Sequence, residues 1–92
     1  VIRGFKDRKT RQFFEGTDVR EFRGIAEQAA RRLTILNSAE ALKDLASLRS
    51  NRLELLSGNR KNQYSIRINK QWRICFQWRE DGPFDVEIVD YH

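Results

Sequence analysis

The chain has 92 residues, 39% of them hydrophobic and 34% charged, and a formal net charge of +5. That balance excludes a disordered tail, and no apolar run approaches the roughly 20 residues a membrane-spanning helix needs. A single cysteine excludes an internal disulfide and cannot build a zinc centre alone, while the positive charge favours a polyanionic partner, either nucleic acid or an acidic protein segment. The size predicts one domain spanning residues 1–92. The first residues lack the apolar stretch and cleavage site of a secretion signal, which predicts a cytoplasmic protein. Neither metal nor cofactor is expected. Val1 stands where methionine is expected, and the sequence contains no methionine.

In chain order, Val1 to Phe5 read as a short strand with Ile2 inward. Lys6 to Glu15 read as a helix with Phe13 and Phe14 turned to the core, stopped by Gly16. Thr17 or Asp18 can cap the next helix. There Phe22, Ile25, Ala26, Ala29, Ala30, Leu33 and Leu36 recur at steps of three and four, the spacing of one buried helix face. Arg20, Arg23, Glu27, Arg31 and Arg32 fall on the other side. Ser38 can cap a third helix with Leu42 and Leu45 inward. Arg52-Leu53-Glu54-Leu55 changes to a strand pattern, with Leu53 and Leu55 on one face and Glu54 on the other.

The strongest pattern follows. Tyr64, Ile66 and Ile68, then Trp72, Ile74, Phe76 and Trp78, occupy alternate positions, the period of strands with one buried face. Asp81-Gly82-Pro83 signals a turn, and Phe84 to His92 alternate as a last strand. The expected fold is α+β, with two to three N-terminal helices packed on one face of a small, mainly antiparallel sheet. Strand parity assigns Arg52, Glu54, Ser65, Arg67, Arg73, Gln77, Glu87 and Tyr91 to the other, open face.

Gly58-Asn59-Arg60, Tyr64-Ser65-Ile66-Arg67, Asn69-Lys70-Gln71-Trp72-Arg73-Ile74-Cys75-Phe76 and Val86-Glu87-Ile88-Val89-Asp90-Tyr91-His92 together resemble the HigB toxins of the RelE/ParE superfamily. The opening Ile2-Arg3-Gly4-Phe5-Lys6-Asp7 extends the resemblance over nearly the whole chain. The Trp-Arg-Ile core is shared across the superfamily, whereas the Asp-Tyr-His ending is more particular to HigB. The resemblance implies a RelE-like fold and a ribosome-dependent endoribonuclease that cleaves mRNA in the A site. It also implies silencing by a HigA-type helix-turn-helix antitoxin, with operator DNA bound only through the antitoxin complex. Carried onto this chain, the family's functional positions fall on Glu54, Ser57, Arg67, Arg73, Asp90, Tyr91 and His92. Some relatives have histidine in place of Glu54 and lysine in place of Ser57. The alternatives are a weakly nucleolytic or non-enzymatic toxin that blocks the ribosome by binding, and a ParE-like gyrase inhibitor.

Metal-free RNA cleavage needs a base for the 2′-hydroxyl, charge stabilisation at the phosphate and an acid for the leaving oxygen. Arg73 suits the second task because its planar guanidinium can bind two phosphate oxygens. It can equally be a salt-bridge partner of Glu87 or Glu54. His92 is the candidate proton carrier, since imidazole titrates near neutral pH. Asp90 can orient it or accept a backbone amide. Tyr91 can stack on a base or pack on an arginine. Glu54 can act as general base or neutralise an arginine. Arg60, Lys61 and Arg67 suit the RNA backbone. Arg20, Arg23, Arg31 and Arg32 can face 16S rRNA or form plain solvated surface.

Overall fold

A computed structural model describes residues 1–80 and 82–91. Helix α1 (Arg8–Phe14) is followed by a 3-10 turn (Arg20–Ile25) that runs into α2 (Ala26–Ser38). A short α3 (Leu42–Ser47) and a 3-10 turn (Arg49–Asn51) lead into the sheet. Strands β1 (Glu54–Leu55), β2 (Tyr64–Arg67), β3 (Trp72–Arg79) and β4 (Gly82–Asp90) lie in the order β1-β2-β3-β4, each antiparallel to its neighbour. The architecture is the α+β arrangement of helices on an antiparallel sheet that the sequence predicts.

The core forms where the helical stripe meets the lower face of the sheet. Phe22, Ile25, Ala29, Leu33, Leu36 and Leu45 pack against Ile66, Ile68, Ile74, Phe76, Val86 and Ile88, all buried. Each large side chain in this set contributes about 1.5–3 kcal/mol by leaving water. Edge-on aromatic contacts continue the layer, with Phe13 against Phe22 and Phe22 against Trp72 at ring separations of 5.5 and 5.9 Å.

Several local expectations are corrected. Thr17 and Asp18 do not cap α2. The Asp18 carboxylate instead accepts two bonds from Arg23 Nε and one from Arg23 Nη2, and α2 begins later, at Ala26. Ala30 is exposed, because within α2 it lies off to one side of the buried line of Ala29, Leu33 and Leu36. Ser38 ends α2 rather than opening α3. The start of α3 is satisfied by Asp44, whose Oδ2 accepts the backbone amides of Glu40 and Ala41 at 2.9 and 3.0 Å. Leu55 is 66% exposed, because β1 is a two-residue strand at the edge of the sheet; Leu56 turns inward instead. Phe14 also points partly to solvent.

The first residues form no strand of their own. They run parallel to β4, with one bridge between Phe5 and Val86 and backbone bonds from Arg3 N to Pro83 O and from Val86 N to Gly4 O. Thr10 of α1 finishes covering this edge, its buried hydroxyl accepting the Ile88 amide at 3.1 Å. A buried strand edge with unpaired amides costs stability, so this cover matters. The predicted turn includes Asp81, which lies outside the described residues. Gly82 beside it has φ +129°, and a Cβ there would meet the Val1 carbonyl oxygen at 3.0 Å, so the position requires glycine.

Strand parity fails at one point in β4. Cys75 pairs with Glu87, but Gln77 pairs with Phe84, so two residues of β4 oppose Phe76. Asp85, at φ +53°, is the residue that makes this bulge. Beyond it Phe84 moves to the face of Gln77, where the Arg79 guanidinium carbon lies 4.7 Å from the ring centroid.

Candidate active site

The upper face is laid out in cross-strand rows. Glu54, Ser65, Cys75 and Glu87 face one another across the four strands, and Arg67, Arg73 and Val89 form the next row. The face is less open than parity suggests: Ser65 and Cys75 are fully buried and Arg73 is 9% exposed. The Arg60 side chain reaches across this row. Arg60, on the 3-10 turn Gly58–Arg60, donates to Gln63 Oε1 at 3.3 Å and to Glu87 Oε1 at 3.1 Å. To reach β4 from a connection preceding β2, its stem crosses the row that contains Cys75. Burial pushes the Cys75 thiol up from its ordinary range, with the nearby Arg60 and Arg73 charges acting in the opposite sense. A thiol so placed is a small strand filler, not a nucleophile.

Arg73 is fixed from three directions. Its Nε donates to Ser65 Oγ at 2.7 Å, and Nη2 donates to the Arg52 carbonyl at 2.7 Å and lies 3.1 Å from Glu54 Oε1. Arg52 can offer that carbonyl because its backbone sits in the left-handed region, at φ 46°. Buried Asn51 holds this corner. Its amide donates to Leu45 O at 3.1 Å, and its Oδ1 accepts Arg32 Nη1 at 2.7 Å. Among the described residues, Nη1 of Arg73 has no acceptor.

The predicted site residues divide into those this arrangement gathers and those it separates. Glu54, Arg67 and Arg73 lie on the upper face, with Arg67 directly across from Arg73. These two guanidiniums and one carboxylate leave a net positive charge on this part of the face. The Tyr91 ring centroid lies 6.0 Å from the Arg73 guanidinium carbon, and the residue is 40% exposed. Asp90 sits opposite Trp72, so its side chain leaves toward the helix side, where its Oδ2 accepts Gln71 Nε2 at 3.0 Å. His92 lies outside the described residues. Ser57 is exposed and precedes the Arg60 turn, and Lys61 is exposed just after it.

The four helix arginines belong to the layer on the other side of the sheet. Arg32 does not face outward: it turns to Ser50 and Asn51, at 3.2 and 2.7 Å, because Asn51 needs a donor at its buried oxygen. Arg23 is engaged by Asp18, which holds the Asp18 carboxyl below its ordinary range and pushes the guanidinium up. Arg31 pairs with Glu27 at 3.4 Å, one helical turn away. Arg20 is exposed.

Sequence reasoning missed Ser65, Asn51 and the β2–β3 turn as parts of the site. Asn69 Oδ1 accepts the amides of Gln71 and Trp72, both at 2.8 Å, which fixes the turn. Gln71 then accepts the Tyr91 amide at 2.6 Å and donates to Asp90. The available signal was Asn69 two residues before Gln71, the spacing of a side-chain-closed turn.

The fold and this face define a class: a helix-covered antiparallel sheet with a clamped arginine and an aromatic beside it on the free side. A family model described as the RelE-like toxin of type II toxin-antitoxin system HigB matches residues 3–92. The toxin HigB-1 of Vibrio cholerae serotype O1 is 44% identical over 92 residues, covering 96% of this chain and 94% of the relative. An uncharacterized protein of Haemophilus influenzae is 36% identical over 63 residues, covering 68% of this chain and 61% of that protein. The chain belongs to the HigB-like toxins of type II toxin–antitoxin systems. Membership in such a system implies a protein antitoxin as partner. Among the described residues, no helix is long and apolar enough to cross a membrane.

Proposed function

We propose that this toxin is a cytoplasmic, ribosome-dependent mRNA endonuclease neutralised by a HigA-type antitoxin. The observation that carries the reading is the clamped Arg73, with Arg67 across the strand pair and Tyr91 alongside. A guanidinium held in advance stabilises charge as it develops on a phosphate without having to reorganise, and this is usually a large term in catalysis. The 2′-hydroxyl attacks the adjacent phosphorus, the P–O5′ bond breaks, and a 2′,3′-cyclic phosphate and a 5′-hydroxyl result. The incoming phosphate competes with Glu54 for Nη2 of Arg73; the displaced carboxylate can then accept the 2′-hydroxyl proton. His92 is the proposed donor to the departing oxygen, an assignment supported by the family's Asp-Tyr-His ending. Asp90 and Gln71 set the path of the chain that delivers Tyr91. Arg60, Lys61 and Arg67 track the RNA backbone, while Arg20 and Arg31 remain available to rRNA.

The engagement of Arg73 by three partners favours a second reading, a toxin that binds the ribosome and cuts weakly or not at all. One experiment separates the two. Arg73→Ala is expected to lower cleavage of A-site mRNA about 10²–10³-fold, as loss of an oxyanion donor does elsewhere. Arg73→Lys, which keeps the charge but not the planar fork, is expected to fall between. If both variants inhibit translation as wild type does, binding without cutting is the activity. Thermal melts separate lost chemistry from lost folding.

A further inference from the structure

The N-terminal segment carries a cluster that the Arg73 site does not use. Arg3, Lys6, Arg8 and Arg11 surround a concavity of about 440 Å³, together with Asp7. That volume is within the range of small-ligand clefts, about 300–1,000 Å³. Its floor is fixed, because backbone bonds from Arg3 to Pro83 and from Lys6 to Val86 anchor it to β4. The concavity adjoins the upper face through Glu87: Lys6 Nζ lies 3.9 Å from the same Glu87 oxygen that Arg60 holds at 3.1 Å. Among the described residues, Arg8 and Arg11 form no ion pair.

Lys6, Arg8 and Arg11 line a concavity continuous, through Glu87, with the face that holds Arg73, and that continuity fits the phosphodiester backbone of a strand running across both. Phosphate oxygens accept charge-assisted hydrogen bonds from guanidinium and ammonium groups. We infer that this N-terminal concavity is a second RNA subsite, which holds a nucleotide of a single strand whose scissile phosphate lies at Arg73. The inference rests on the RNA-directed reading above and extends it along the β4 edge.

The test is fluorescence anisotropy of a labelled 12-nucleotide single-stranded RNA across a salt series, on wild type, Arg8→Gln/Arg11→Gln and a control pair, Lys43→Gln/Arg49→Gln, with equal charge loss. The Arg8/Arg11 pair is expected to weaken binding about tenfold and to flatten the log K against log salt slope by about 1.4, at about 0.7 per phosphate contact. The control pair is expected to change neither. Equal weakening in both pairs would overturn the subsite in favour of diffuse charge. Unchanged RNA affinity with weakened binding of the cognate antitoxin would overturn it in favour of a protein interface. Loss of RNA binding in the Arg8/Arg11 pair, with no cut ends from wild type on ribosomes, would keep the subsite and remove only the nuclease reading.

Discussion

At the scale of single residues, the site depends on groups that hold Arg73 rather than on Arg73 alone. Ser65→Ala leaves Nε without its acceptor in a fully buried position, and an unmet buried donor costs about 1–3 kcal/mol. A fall in both melting temperature and cleavage is expected, with Ser65→Thr restoring part of each; cleavage unchanged in Ser65→Ala would show that Arg73 needs no such support. The place of Arg73 on the open face was legible, because alternation puts it opposite the apolar stripe. Ser65 was not, because its bond to Arg73 runs diagonally across β2 and β3, and that offset depends on the register. Arg32 misled for a related reason: helical spacing put it outside, but an arginine stem is long enough to turn back to a buried oxygen. Cys75 gives a further check. Its thiol is raised by burial, so stability is intact below the unfolded thiol value, about 9, and is lost as pH rises through the folded value. Ellman's reagent at pH 8 is expected to react with the folded protein far more slowly than with the protein in guanidinium; equal rates would contradict the covered upper face.

At the scale of elements, the outer edge of β4 is closed by backbone from the first residues and by one hydroxyl from α1. Thr10→Val keeps the shape and removes the acceptor of the Ile88 amide, so a loss of about 1–3 kcal/mol is expected. For a domain this size that lowers the melting temperature by about 4–8 °C per kcal/mol. A melting temperature within a degree of wild type would mean that water serves the amide equally well. The helical stripe and the two long strands were legible because period and burial coincide over many residues. The helix starts were not. The side chains that resemble caps at Thr17, Asp18 and Ser38 compete with ion pairs and with tertiary packing, and here the Asp18–Arg23 pair and Asp44 prevail. The Asp85 bulge also had no local signature, since an aspartate at positive φ is an ordinary residue in sequence.

At the scale of the whole molecule, the sheet separates two jobs. Its lower face is consumed by the core, and its upper face presents paired arginines beside Tyr91, with the N-terminal cations continuing along one edge. The central claim is that this face cuts mRNA at a phosphate held by Arg73. The most direct measurement is primer extension on ribosomes programmed with a defined A-site codon, comparing wild type, Arg73→Ala and His92→Ala. New 5′ ends within the A-site codon are expected with wild type, reduced about 10²-fold or more in each variant while both remain folded. Ends of equal intensity in all three would place the chemistry elsewhere, and an absence of toxin-dependent ends with wild type would contradict the nuclease account itself.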